Sequence, residues 1–126
     1  MKQQVYAIGN GPCRVEMTVT LTGNGLVVQI YGGDGPHVGA LALSQPRPSR
    51  TGNNKTSCST SVLTLLGHKE DEVAKPAAEK IAKAINQPVV VVAGLHVDHA
   101  GTNTITELVD NCQQVVQMFI NEYEAN

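Results

Sequence analysis

Tryptophan is absent from this 126-residue chain, and Phe119 is its one phenylalanine. With aromatics at 3%, packing rests on Val, Leu, Ile and Ala, and stacking platforms for bases or sugars are scarce. An excess of basic residues is missing too. Nine Lys and Arg against eleven Asp and Glu leave a formal charge of -2, which argues against the basic face of a nucleic-acid binder. Cys13, Cys58 and Cys112 form neither a Cys-x-x-Cys pair nor a clustered zinc pattern, so a reducing compartment fits best. No apolar run approaches the ~20 residues that cross a bilayer, and Met1-Lys2-Gln3-Gln4 lacks the apolar stretch of a signal peptide. The expectation is a soluble, cytoplasmic protein with neither a membrane nor a nucleic acid as partner. A Gly-x-Ser-x-Gly elbow, a P-loop and a Rossmann glycine pattern are also lacking.

What is present suffices for one core: 41% hydrophobic residues over residues 1–126 predict a single domain. Residues 14–21 alternate, with Val15, Met17, Val19 and Leu21 on one face, and predict a half-buried strand. Thr22-Gly23-Asn24-Gly25 then closes a hairpin onto a second strand over 26–31. Further strands are expected over 38–44 and about 60–66, separated by a loop rich in Pro, Ser, Gly and Asn. Helical spacing of Val73, Ala77, Ala78, Ile81, Ala82 and Ile85 predicts a helix over about 70–86, with Pro76 either delaying its start to near Ala74 or kinking it. The valines of 88–93 read as a strand covered on both sides and ended by Gly94. Ile105, Leu108, Val109, Cys112, Val115, Val116, Phe119, Ile120 and Tyr123 form the stripe of a last helix. The predicted class is α+β: a four-stranded antiparallel meander, then helix, strand, helix, with the helices packed on the sheet.

Titratable and turn-forming residues gather between 32 and 72. The stretch 45–57 holds Arg47, Arg50 and Lys55 and no acid, with Ser49, Thr51, Thr56 and Ser57 as hydroxyl donors. It reads either as an anion site or as a solvated connection. His37, His68, His96 and His99 each sit beside a strand end or turn, and with Asp98 they invite a metal reading or one of ligand-orienting side chains. His68 and Lys69 open the acidic entry Glu70-Asp71-Glu72 of the first helix, which is a plain helix start or part of a site.

Taken in order, Gly33-Asp34-Gly35-Pro36-His37-Val38-Gly39-Ala40, Pro46-Arg47-Pro48-Ser49, Thr60-Ser61-Val62-Leu63-Thr64 and Gly67-His68-Lys69-Glu70-Asp71-Glu72 resemble the LpdD-like prenylated-flavin chaperones. These are accessory proteins of prenylated-FMN-dependent decarboxylases such as the gallate decarboxylase system, and they are distantly similar in fold to proteasome assembly chaperones. The resemblance covers roughly residues 15–120. It implies a non-catalytic homodimer that carries prenylated FMN as cargo to a partner decarboxylase, with the flavin prenyltransferase as a further candidate partner. It also implies His37, Arg47, Ser49, His68 and Lys69 as cofactor-binding residues, with no catalytic residue and no metal. Arg50 stands where the family carries an apolar residue. Two other functions remain open on the residues alone: an assembly module without a small-molecule site, and a small metal-dependent enzyme using His37, His68, His96 and Asp98.

Overall fold

The computed structural model describes residues 2–52, 55–65 and 70–125. Its elements are β1 (Lys2–Ile8), a 3-10 turn (Gly11–Cys13), β2 (Val15–Leu21), β3 (Leu26–Gly33), β4 (Ala40–Pro48), β5 (Thr56–Thr64), α1 (Asp71–Ile85), β6 (Val89–His96) and α2 (Thr102–Ala125). One six-stranded sheet has the order β1-β2-β3-β6-β4-β5. The α+β class holds, with the helices on the sheet as expected. The meander does not: five strands precede α1, and β6 is inserted between β3 and β4, parallel to β3 and antiparallel to β4. A fully apolar strand such as Val89–Ala93 is most stable in the middle of a sheet, where it displaces the local β3–β4 pairing.

The alternation of β2 is as read, with Val15, Met17 and Val19 fully buried. Strand β6 runs past Gly94 to His96, and it is sealed on one face only: Val89, Val91 and Ala93 are buried, whereas Val90 and Val92 are half-buried. The prolines at 46 and 48 do not begin a loop. Pairing of β4 with β6 stops at Ser44, but β5 accompanies β4 as far as Pro48, so the missing proline donors fall where β6 has already ended. Residues 45–48 and 56–59 therefore form a two-stranded ribbon projecting beyond the sheet. Helix α1 starts at Asp71, not Ala74, with Pro76 on its exposed side. In α2, Ile105 is 53% exposed because close packing begins a turn later, at Leu108.

Both helices contribute to one core. Ala74, Ala78, Ile81 and Ala82 of α1, with Val115, Val116, Phe119 and Ile120 of α2, cover Val15, Met17, Val28, Ile30, Val89 and Val91. Asn111 in α2 is buried, and its Nδ2 donates to the carbonyl of Cys13 at 2.8 Å, tying the 3-10 turn to the helix. Ser44, fully buried, bonds Thr60 Oγ1 at 3.1 Å, which donates to Glu79 Oε2 at 2.7 Å, linking β4, β5 and α1.

Among the described residues, no element covers the opposite face of the sheet. Register places Thr20, Val27, Val90, Leu43 and Ser61 in one row across it, and Val5, Thr18, Gln29, Val92, Leu41 and Leu63 in the next. Val27, Val90 and Leu43 of the first row and Val92, Leu41 and Leu63 of the second form a continuous apolar patch over β3, β6, β4 and β5, and Leu63 is 68% exposed.

Burial pushes the Cys112 thiol up to about 12. Tyr6 is likewise raised to about 12, by burial and then by the Glu122 carboxylate. Each group is neutral in both states at low pH, and as pH rises the unfolded chain loses its proton first, so this stabilisation is lost with alkalinity. We expect the melting temperature to fall from about pH 9 towards about pH 12, and Cys112→Ala to shrink the fall that begins near 9, which the Cys13 thiol, also raised by its hydrogen bond to Glu107, shares, and to leave that of Tyr6 near 10. Unfolding followed across pH 8–12 in both proteins checks it.

Candidate functional site

Two ends of the sheet carry chemistry. At the first, the parallel strands β3 and β6 finish side by side, and the segment 34–39 folds back over them, with Asp34 N–H donating to the His96 carbonyl at 2.7 Å. Gly94 makes this possible, since a Cβ there would collide with the His37 backbone carbonyl. Gly39 plays the same part for Glu70, whose carboxylate occupies the space a Cβ would need. His37 Nδ1 lies 2.8 Å from the Gly35 carbonyl, which can only accept, so Nδ1 carries the hydrogen. Its Nε2 stands 2.8 Å from Glu70 Oε1, a contact that needs one further proton between them. The pair clamps the β3–β4 connection to the start of α1, and Glu70 is only 11% exposed.

His96 lies beside this clamp, its ring centroid 6.5 Å from that of His37 and its Nε2 2.8 Å from Asp98 Oδ1. The histidines are thus neighbours, as a metal site would require, but each ring is turned to its own carboxylate. Among the described residues, no three His, Cys, Asp or Glu converge so as to hold a metal ion. His99 adopts a left-handed backbone (φ 54°) in the turn after β6. His68 and Lys69 lie outside the described residues.

The second end is the β4–β5 ribbon. Arg47, Ser49 and Lys55, singled out from the sequence, line one basin of about 470 Å³ with Pro46, Pro48, Gly52, Thr56 and Asn86. Arg47 Nε donates to Ser59 Oγ at 3.1 Å, and Nη1 donates to the Pro48 carbonyl at 3.3 Å. The guanidinium is thereby held in place by its own ribbon. Ser49 Oγ lies 2.9 Å from Thr51 Oγ1.

His37 does not join this group. Arg47 is seven residues beyond Ala40 on β4, about 23 Å at strand rise, and His37 precedes Ala40. Of the five residues suggested as one site, the three that the structure describes are divided, with Arg47 and Ser49 at one end and His37 at the other. Glu70, the partner of His37, was visible in the sequence only as an acid at a helix start. Ser59 carried no signal, because the segment 45–57 read as a loop. A third concavity, about 210 Å³ between α1 and α2, is lined by Val73, Pro76, Ala77, Val109, Cys112 and Val116 among others.

A six-stranded sheet with two helices on one face, a histidine–carboxylate clamp at one end and a cationic ribbon at the other, defines the class as a small α+β sheet-and-helix domain. The comparisons narrow the class. The model of the prenylated flavin chaperone LpdD-like domain matches residues 9–124, and the chain belongs to that family. The crystal structure of a chaperone complex for yeast 20S proteasome assembly superposes with a TM-score of 0.62, covering 98% of this chain and 95% of that one at 15% identity. At that identity the likeness is one of fold. A search of curated proteins finds no match.

Proposed function

We propose that this protein binds prenylated FMN as cargo in the cytoplasm and assists its delivery to, or maturation in, a partner decarboxylase, without catalysing a reaction on substrate. The observation that carries the reading is the guanidinium of Arg47, fixed by Ser59 and the Pro48 carbonyl at the edge of a cationic basin, in a chain of the prenylated-flavin chaperone family. A forked, charge-assisted contact is what a flavin phosphate needs. Scarcity of aromatic clamps suits a carrier that must release its load. Arg47 and Ser49 are the proposed phosphate contacts; His37, at the far end of β4, is proposed as a second contact, and His68 and Lys69 are proposed as further cofactor contacts. The flavin prenyltransferase is the proposed donor.

Reduced prenylated FMN, mixed anaerobically with the protein, should give a bound flavin spectrum that disappears as apo-decarboxylase gains activity. Binding without transfer would reduce the role to storage, and an unchanged spectrum would sink the proposal.

A second copy is proposed to cover the open sheet face. Six strands at about 4.8 Å spacing, each about 23 Å long, present roughly 700 Å², close to the ~800 Å² per partner of a standard interface. The face carries a continuous apolar patch of Val27, Val90, Leu43, Val92, Leu41 and Leu63, bordered by Thr18, Thr20, Gln29 and Ser61, as an interface core is bordered by a polar rim. Light scattering should report about twice 13.3 kDa, and Leu43→Asp, which buries a charge within the apolar patch of the face, should halve it. A wild-type monomer at micromolar concentration, or a Leu43→Asp dimer, contradicts this pairing.

A further inference from the structure

The geometry points to the open face of the β4–β5 ribbon as the site of a phosphorylated polyol chain, the ribityl phosphate of the flavin, held by Gln45, Arg47, Ser57 and Ser59. Arg47 also stands on the rim of the basin, and the polyol chain runs away from that rim along the open side. This placement rests on the flavin reading above.

Strand alternation divides the ribbon into two faces. Ala40, Ala42 and Ser44 point into the core, so Gln45 and Arg47 point the other way. Register sets Gln45 opposite Ser59 and Arg47 opposite Ser57. The hydrogen bond from Arg47 Nε to Ser59 Oγ, a diagonal neighbour, places the guanidinium on that same face. Cys58 and Thr60 lie on the reverse, where both bond to Glu79 of α1.

Electrostatics separates the two sides. The basin is bounded by Asn86, the C-cap of α1, so the carbonyl end of the helix macrodipole, with its partial negative charge, adjoins it. That charge and the Glu79 carboxylate on the same side of the sheet offset the cations of the basin, Lys55 in its lining and Lys83 in the last turn of α1. The open side of the ribbon has no acid at all from Gln45 to Ser61. Two of the guanidinium's donor groups are committed, Nε to Ser59 and Nη1 to the Pro48 carbonyl, and Nη2 has no protein acceptor among the described residues. A phosphate oxygen fits that position, with the Ser57 and Ser59 hydroxyls as neighbours.

Polarity along the face follows the ligand. From the anion-reading row Arg47–Ser57 the next row is Gln45–Ser59, with an amide and a hydroxyl for a hydroxylated chain. Beyond it come Leu43–Ser61, then Leu41–Leu63 beside Val90 and Val92, where an apolar ring system belongs. Arg47 to Leu41 is six residues, about 20 Å of strand. The ring then lies at the margin of the face proposed for pairing.

The test is titration of the full chain with prenylated FMN and with its dephosphorylated form, for wild type, Ser59→Ala, Gln45→Ala and Thr56→Val, with melts alongside. Each of Ser59→Ala and Gln45→Ala should raise the Kd for prenylated FMN about fivefold. Ser59→Ala should also narrow the preference for the phosphorylated ligand, since it frees the guanidinium. Thr56→Val, on the basin side, should stay within about twofold of wild type. If Thr56→Val weakens binding while Ser59→Ala and Gln45→Ala bind as wild type, the placement is overturned and the flavin reading stands. Uptake of no prenylated FMN by wild type overturns both.

Discussion

Replacing Arg47 with alanine should weaken prenylated FMN by roughly 1.5–3 kcal/mol, about 10- to 150-fold in Kd, with folding barely changed. The size follows from what the side chain is. Its guanidinium is planar and always charged, and Ser59 and the Pro48 carbonyl hold it. Prolines on both sides fix the backbone that carries it, so little ordering is left to occur on binding. Arg47→Lys keeps the charge but loses the fork and the bond to Ser59, and should fall between wild type and alanine. Stability is spared because the ribbon lies beyond the end of β6, away from the core. Titration of both variants with prenylated FMN, FMN and riboflavin measures the effect, and melting curves check the fold. Wild-type affinity in Arg47→Ala would move the phosphate to another part of the molecule.

This end of the molecule also shows where sequence reading ran out. The residues of the basin were legible as a cationic, hydroxyl-rich stretch between strands, and of its cations Arg47, Arg50 and Lys55 the basin's lining includes Arg47 and Lys55, with Ser49, and not Arg50. Its form was not legible. Pro46 and Pro48 are loop signals by propensity, and only the end of β6 at Ser44 makes them tolerable within a strand. With the ribbon hidden, so was the face on which Arg47 meets Ser59.

The same limit applies to the sheet. The hairpin of β2 and β3 was readable because its alternation and its Asn-Gly turn are local facts. Strand β1 was passed over: Lys2-Gln3-Gln4 is polar, as befits an edge strand, and its pairing with β2 supplies what its composition does not. The insertion of β6 between β3 and β4 depends on pairing over some sixty residues of chain, which no window of periodicity contains. The division of His37 from Arg47 follows from that topology. So does the partnership of His37 with Glu70, 33 residues apart.

The sole phenylalanine gives the largest expected change in stability. Phe119 is 1% exposed and packs edge-on against Tyr6 and at a tilt against Tyr123, each at 5.9 Å between ring centroids. The Tyr6 contact binds α2 to β1, and the ring sits inside the closed core cluster, where its removal leaves a cavity. Phe119→Ala should therefore cost about 3–5 kcal/mol, from lost burial and the cavity left behind. Against the ~5–15 kcal/mol that holds a domain together, this is a large share, and the melting temperature should drop by roughly 10–20 °C. Ile105 belongs to the same apolar stripe in the sequence but is 53% exposed, so Ile105→Ala should change stability by no more than about 0.5 kcal/mol. Urea unfolding of the two variants at one protein concentration makes the comparison, since self-association would otherwise add to apparent stability. Equal losses would mean that the first turn of α2 is packed in solution as tightly as its centre.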